Sequence, residues 1–348
     1  MPQFQAVIQD FLATAKHAGK TKIVIDLQSN RGGIISLGHD LFRQFFPQTQ
    51  ESAVTCWKNS DTYVDITRAI SDSLEGFDPY APGADVDKVD DYALTLNWRT
   101  DSNSSLQPFV SYEDKFGSHI YKNTPYTNLM AWDFNDSLIS SPDHGLGVNT
   151  TGYGNRKNIT QHCSSEDLVI IYDGYCSSTC TVASELFRIT GNAKSVVMGG
   201  RPRAGPQQGV ATDNNIKARL SSLKDLKLFR GNGRSNTRDQ IVPEHRVDGV
   251  PSQFVATYSE CRLYWTEPML KDIQEVWKAA ARSAFNGAKC NYRGIKRSPT
   301  VSRSEDIATG QGPAPVLLSR SLRESPMLAS KSAAWKALFN VDVPKFEL

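Results

Sequence analysis

The residues best placed to do chemistry stand in one run: Asp173-Gly174-Tyr175-Cys176-Ser177-Ser178-Thr179-Cys180-Thr181-Val182-Ala183-Ser184-Glu185. The run follows Leu168-Val169-Ile170-Ile171-Tyr172, a short apolar stretch that reads as a buried strand. It leads into a helical pattern over Thr179 to Thr190, with Val182, Ala183, Leu186 and Phe187 inward. A serine between a strand end and a helix start is exposed at the sheet edge. The free N–H groups of the helix favour negative charge developing beside it. That is the setting of a nucleophile, and equally that of a helix N-cap, which serine and threonine fill constantly.

A second run adds a partner for that chemistry. Lys22-Ile23-Val24-Ile25-Asp26-Leu27 suits a buried parallel strand, and Gln28-Ser29-Asn30-Arg31-Gly32-Gly33 turns the chain after it. Ile34, Ile35, Leu37, Leu41, Phe42, Phe45 and Phe46 then recur at helical spacing up to Pro47. A Gly-Gly turn after a parallel strand can aim backbone N–H groups at a substrate oxyanion.

The elements around these turns follow from apolar periodicity. Val196-Val197-Met198 reads as a third strand, closed by Gly199-Gly200. Strands alternating with helices predict an α/β fold on a mostly parallel sheet. Phe4, Val7, Ile8, Phe11 and Leu12 predict an amphipathic helix at the start of the chain. Met269, Leu270, Ile273, Val276, Trp277 and Ala280 predict a single long one. Residues 48–165 are rich in Asn, Asp, Ser and Tyr without a long periodic element, and read as a large insertion or lid. Residues 291–348 are rich in Ser, Pro and Arg and read as a disordered tail, with a short docking helix at Ala333 to Phe339.

Taken together, the two runs resemble serine peptidase family 41, the tail-specific or C-terminal processing proteases. The first family signature, Asp-Leu-Arg-x-Asn-x-Gly-Gly after a hydrophobic strand, stands here as Asp26-Leu27-Gln28-Ser29-Asn30-Arg31-Gly32-Gly33, with Gln for Arg. The second is similar to Cys176-Ser177-Ser178-Thr179-Cys180 with Ala183-Ser184-Glu185 after it. Val196 to Pro202, Cys261 to Tyr264 and the helix around Trp277 resemble later family elements. The resemblance implies a ClpP/crotonase-type catalytic domain over 1–290 and peptide-bond hydrolysis without a cofactor. It implies Ser178 as nucleophile, ahead of Ser177 and then Ser184, and an oxyanion hole of backbone N–H groups at Gly32, Gly33 and Thr179. Arg203-Ala204-Gly205-Pro206-Gln207 stands where bacterial members carry a Gly-Lys-Gly, so a Ser-Lys dyad is not expected. The other family design, that of the chlamydial protease-like activity factor, uses Ser, His and an acid. Asp239 is the acid candidate here, with Glu244 behind it.

The resemblance places the histidine upstream of the first strand, in a segment this sequence does not contain. An N-terminal part of the family domain is therefore expected to lie outside it. The histidines present are His17, His39, His119, His144, His162 and His245. Small fungal members of the family occur in gene clusters for ribosomally made cyclic peptide mycotoxins of the ustiloxin and phomopsin kind, which implies a precursor peptide as substrate. The alternatives are an inactive binding module, as in the interphotoreceptor retinoid-binding proteins, and a subunit whose partner supplies the base.

Composition narrows the partners. The 348 residues carry a formal charge of +2, with 39% hydrophobic and 22% charged residues. Neither nucleic acid nor an anionic membrane is expected, and no apolar run nears the roughly 20 residues of a membrane span. A homo- or hetero-oligomer stays open. Asn-x-Ser/Thr triplets at Asn103, Asn135, Asn149 and Asn158 point to a secretory or extracellular glycoprotein, although Met1-Pro2-Gln3-Phe4 does not open a signal peptide. The six cysteines suit disulfides or buried thiols. His162, Cys163, Cys176 and Cys180 lack regular ligand spacing, so a local disulfide or free thiols are expected there and no metal.

Overall fold

The computed structural model describes residues 1–49, 54–121, 123–210, 239–241 (backbone only) and 258–295. The chain divides into two units, Met1–Val301 and Ser302–Leu348, and every described residue lies in the first. The expected tail helix and most of the expected tail fall outside the described residues. Asn291 donates its N–H to Arg262 O and Arg262 donates to Tyr292 O, so the described fold runs past the expected boundary at Cys290.

The central sheet contains β1 (Ile23–Asp26), β7 (Leu168–Tyr172), β8 (Lys194–Met198) and β10 (Cys261–Leu263), in the order β1-β7-β8-β10 and parallel throughout. All five residues of β7 are fully buried because both sheet faces are covered. Leu168, Ile170 and Tyr172 face a cluster with Leu12, Phe42, Phe46 and Phe187. Val169 and Ile171 face the other side with Val196, Met198, Val276 and Ala280. Full burial of one such aliphatic side chain contributes about 1.5–3 kcal/mol. This is why the β-branched runs mark the sheet so clearly.

The first face is covered by α1 (Pro2–His17), α2 (Ile35–Phe45) and α7 (Thr179–Glu185). The expected helix from Thr179 to Thr190 is α-helical only to Glu185, and Leu186–Thr190 continues as a π-helix. Helix α1 forms over the stretch where it was expected. Gln5 and Leu12 are its buried residues, whereas Phe4, Val7 and Phe11 are 41–52% exposed. The helix is rolled by the Gln5 amide, which donates to the buried Asp40 at 2.9 Å. The second face is covered by α8 (Glu267–Lys271) and α9 (Ile273–Phe285), where a single helix was expected. Asp272 adopts an extended conformation and caps α9 by accepting from Gln274 N at 2.9 Å. The break leaves Leu270 exposed.

Residues 48–165 are more regular than expected. They hold β2 (Val54–Cys56), α3 (Asp61–Ser73), α4 (Val86–Tyr92), β3 (Ser102–Asn103), α5 (Tyr112–Phe116), β4 (His119–Tyr121), β5 (Thr124–Tyr126), β6 (Met130–Ala131) and α6 (Ser137–Ser140). Ser60 caps the 13-residue α3, whose Ile66 and Ile70 pack with Leu74, Phe77 and Tyr92. A second sheet, order β3-β6-β2-β9, is antiparallel and recruits β9 (Asp239–Ile241) from far down the chain. Among the described residues no helix is long and apolar enough to cross a membrane.

Candidate active site

Two turns meet at the carboxyl ends of β1 and β7, neighbouring parallel strands in register from Ile23–Leu168 to Asp26–Ile171. Asp173 staples them: one carboxylate oxygen accepts from Ser29 N at 2.9 Å and Ser29 Oγ at 3.1 Å, and the other accepts from Tyr175 N at 3.0 Å. Ser177 N donates to Asn30 O at 3.2 Å, and Thr179 Oγ1 donates to Gly33 O at 2.7 Å. The turns are pressed so close that a Cβ on Gly32 would lie 2.6 Å from Ser178 Cβ and 2.8 Å from Thr179 N. Gly38 of α2 lets α7 approach in the same way, since a Cβ there would meet Thr179 Cγ2 at 2.7 Å.

Ser178 occupies the N-cap position of α7 but does no capping. Its side chain makes no cap hydrogen bond, and its backbone sits at φ 57°, ψ −129°, outside the extended region usual for caps. A positive φ costs a non-glycine residue on the order of 1–3 kcal/mol and clusters at functional sites. Ser178 therefore stands at a strained backbone position in the turn that joins β7 to α7. Ser177 Oγ instead points back to Arg31 O at 3.3 Å. Ser184 is fully buried and hydrogen-bonded to the Tyr172 hydroxyl, which makes it structural.

The N–H groups near Ser178 divide cleanly. Cys180 N and Thr181 N donate to Ser177 O and Ser178 O, closing the first turn of α7. Gly32 N donates to the Asn30 side chain at 2.8 Å, so the contribution of Gly32 is the space it leaves. Among the described residues, Gly33 N and Thr179 N have no hydrogen-bond acceptor. A Cβ on Gly33 would meet nothing within 4 Å, so the space beside these two N–H groups is open. Gln28, the departure from the family arginine, carries both amide atoms buried and without a partner.

The backbone of Asp239 pairs with Cys56 in the second sheet, and Glu244 and His245 fall outside the described residues. His17 and His119 are exposed. His39 is buried against Phe134 at 5.0 Å, and His144 bonds Asp90 at 2.9 Å. His162 has a buried Nδ1 without a partner. Cys176 and Cys180 form a disulfide, as do Cys261 and Cys290. Burial pushes the Cys163 thiol up to about 11. Among the described residues no His/Cys/Asp/Glu group could hold a metal ion. A cleft of about 230 Å³ begins at Ile34, directly after Gly33, and runs along Trp132, Asp133, Asp136 and His144 of the 48–165 region. Of the four glycosylation triplets, Asn135 and Asn158 are exposed, and Asn103 and Asn149 are half-buried.

The chain is similar to ustP, a peptidase S41 family protein of Aspergillus flavus. The two are 28% identical over 330 residues, covering 82% of this chain and 65% of the relative. The peptidase S41 family proteins phomP1 and phomP1' of Diaporthe leptostromiformis are 25% identical over 347 residues, covering 82% of this chain and 50% of each. The resemblance is to the peptidase S41 family. It is the family that the two signature turns resemble, and those turns are what the fold brings together. The chain thus spans 65% of ustP and half of the phomP proteins. No family model and no solved structure matches it.

Proposed function

We propose that this chain is a serine-type peptidase that cleaves peptide bonds through an acyl-enzyme on Ser178. The carrying observation is Ser178 itself: a serine at a helix start, at positive φ, without a capping bond, packed on a Gly-Gly turn. Ser178 Oγ attacks the scissile carbonyl carbon, and its proton passes to a general base. The oxyanion lies against Gly33 N–H and Thr179 N–H. Collapse of the tetrahedral species expels the amine and leaves an ester on Ser178, which water then hydrolyses.

Asp239 remains the proposed acid, and replacing the six histidines one by one asks whether any of them serves as the base. The region 48–165 acts as the lid, supplying the wall of the cleft that starts at Ile34. In this reading the domain is of the ClpP/crotonase type. Resemblance to members from cyclic peptide mycotoxin clusters directs it toward a precursor peptide as substrate. The exposed Asn135 and Asn158 triplets favour a secretory location.

The test is hydrolysis of a peptide library by purified protein. Ser178→Ala should reduce turnover at least about 1,000-fold, the scale of losing a nucleophile, while Ser177→Ala retains it. Folded wild-type protein that cleaves nothing would favour the binding-module reading.

A further inference from the structure

The two groups this site asks of α7, the Ser178 hydroxyl and the Thr179 N–H, lie inside one covalent ring. The Cys176–Cys180 disulfide has a sequence separation of 4 and encloses Ser177, Ser178 and Thr179. Both half-cystines are interior, 0% and 3% exposed, and are packed with Tyr172, Leu186 and Val210. One end of the ring is anchored just after β7. The other is anchored in the first turn of α7, where Cys180 N donates to Ser177 O. Between these anchors Ser178 holds a positive φ that no capping bond of its own supports.

The position of the cross-link also says what it is not for. In the chain-entropy account a disulfide stabilises a fold in proportion to the logarithm of the loop it closes. The Cys261–Cys290 bond, with a separation of 29, ties β10 to the segment beyond α9 and is the one suited to global stability. A ring as short as that of Cys176–Cys180 constrains the unfolded chain least, so its effect falls on the native turn.

We propose that the Cys176–Cys180 disulfide is a positioning element of the active site, holding the Ser177–Thr179 backbone so that Ser178 is reactive and Thr179 N–H faces the oxyanion. Opening it slackens the nucleophile turn and leaves the rest of the fold standing. The proposal rests on Ser178 being the nucleophile. It also ties activity to compartments where disulfides persist.

The experiment compares oxidised full-length protein with two double variants, Cys176→Ala/Cys180→Ala and Cys261→Ala/Cys290→Ala. Three quantities are read: the rate of fluorophosphonate adduct formation at Ser178, the melting temperature, and amide hydrogen exchange of the 177–181 segment. The 176/180 variant should label at least about 100-fold more slowly, the scale of a lost oxyanion donor. It should exchange faster at Ser177–Thr179 and lose less melting temperature than the 261/290 variant. The 261/290 variant should show the converse, a lower melting temperature with labelling and local exchange unchanged. If the 176/180 variant does not fold, stepwise reduction of wild type with a dithiol replaces it, with thiols at each cysteine counted by mass spectrometry. Labelling must then fall in step with opening of Cys176–Cys180.

Wild-type rates of labelling and local exchange in the 176/180 variant would overturn the proposal. So would free thiols at both positions in fully reactive protein. If oxidised wild type forms no adduct at all, the peptidase reading fails. The exchange comparison then still decides whether the cross-link orders the turn.

Discussion

Gly32→Ala silences Ser178. The added Cβ would lie 2.6 Å from Ser178 Cβ, 2.7 Å from Ser177 O and 2.8 Å from Thr179 N, all on a neighbouring turn whose backbone is pinned. Gly32 also sits at φ 98°, a conformation that alanine adopts only under strain. Relief requires the two turns to separate, which moves Ser178 and the Thr179 N–H together. The expected result is a fall in adduct formation of at least about 100- to 1,000-fold, the cost of an oxyanion donor. A loss of roughly 1–3 kcal/mol in urea denaturation should accompany it, the scale of overpacking. Gly33→Ala is the contrasting variant. Its Cβ meets nothing within 4 Å and its φ is not positive, so it folds like wild type. Wild-type labelling of Gly32→Ala would mean that the turns are not packed against each other as described.

Arg188→Ala destabilises the protein more than any surface change. Arg188 is 6% exposed, and its guanidinium donates to Tyr258 O at 2.9 Å and to Glu260 Oε1 at 3.1 Å. The other Glu260 oxygen accepts from Ser195 N at 2.9 Å and from Ser195 Oγ, so the pair ties the π-helical turn after α7 to β8 and the start of β10. Burial works against the charge on Arg188. The nearby Glu260 carboxylate more than restores it and holds the guanidinium above its usual range. Removing the arginine strips this cation from a mostly buried carboxylate, at a cost of about 3–5 kcal/mol. The melting temperature should drop by roughly 10 °C or more, given the usual 2–4 °C per kcal/mol for domains of this class. A drop of a degree or two would show that the pair is solvated in solution.

How much of this could be read in the sequence follows from the range of the interactions involved. The two strand–turn–helix units were legible because their signals are local: β-branched runs with both faces buried, then glycine, asparagine and serine at the turn. Ser178 was legible by position. Its backbone angle and the absence of a side-chain cap bond, which bear on the N-cap reading, are carried by no local pattern. The Asn30-to-Gly32 hydrogen bond was legible in principle, as an asparagine two residues before a glycine. It leaves Gly33 N and Thr179 N as the groups without an acceptor among the described residues.

The region 48–165 was least legible. Helix α3 dilutes Ile66 and Ile70 among Thr, Asp and Ser, and its apolar side is completed by Phe77, Tyr92, Leu94 and Leu96 from later segments. Its usable signal was the cap at Ser60. Strands β2, β3 and β6 have two or three residues each, too few to show a period, and β2 finds β9 only through the folded chain. The roll of α1 is set from afar: the polar Gln5 goes inward to Asp40 while three apolar residues stay out. Periodicity identified that helix but could not choose its face.

The central claim is that Ser178 is an activated nucleophile, and covalent labelling reads it most directly. Purified protein is treated with a fluorophosphonate, and the adduct is mapped by mass spectrometry beside Ser178→Ala and Ser177→Ala. The account predicts one adduct per chain on Ser178, lost in Ser178→Ala and kept in Ser177→Ala. A well-folded protein that stays unlabelled, or whose adduct maps to Ser177 and survives Ser178→Ala, contradicts it.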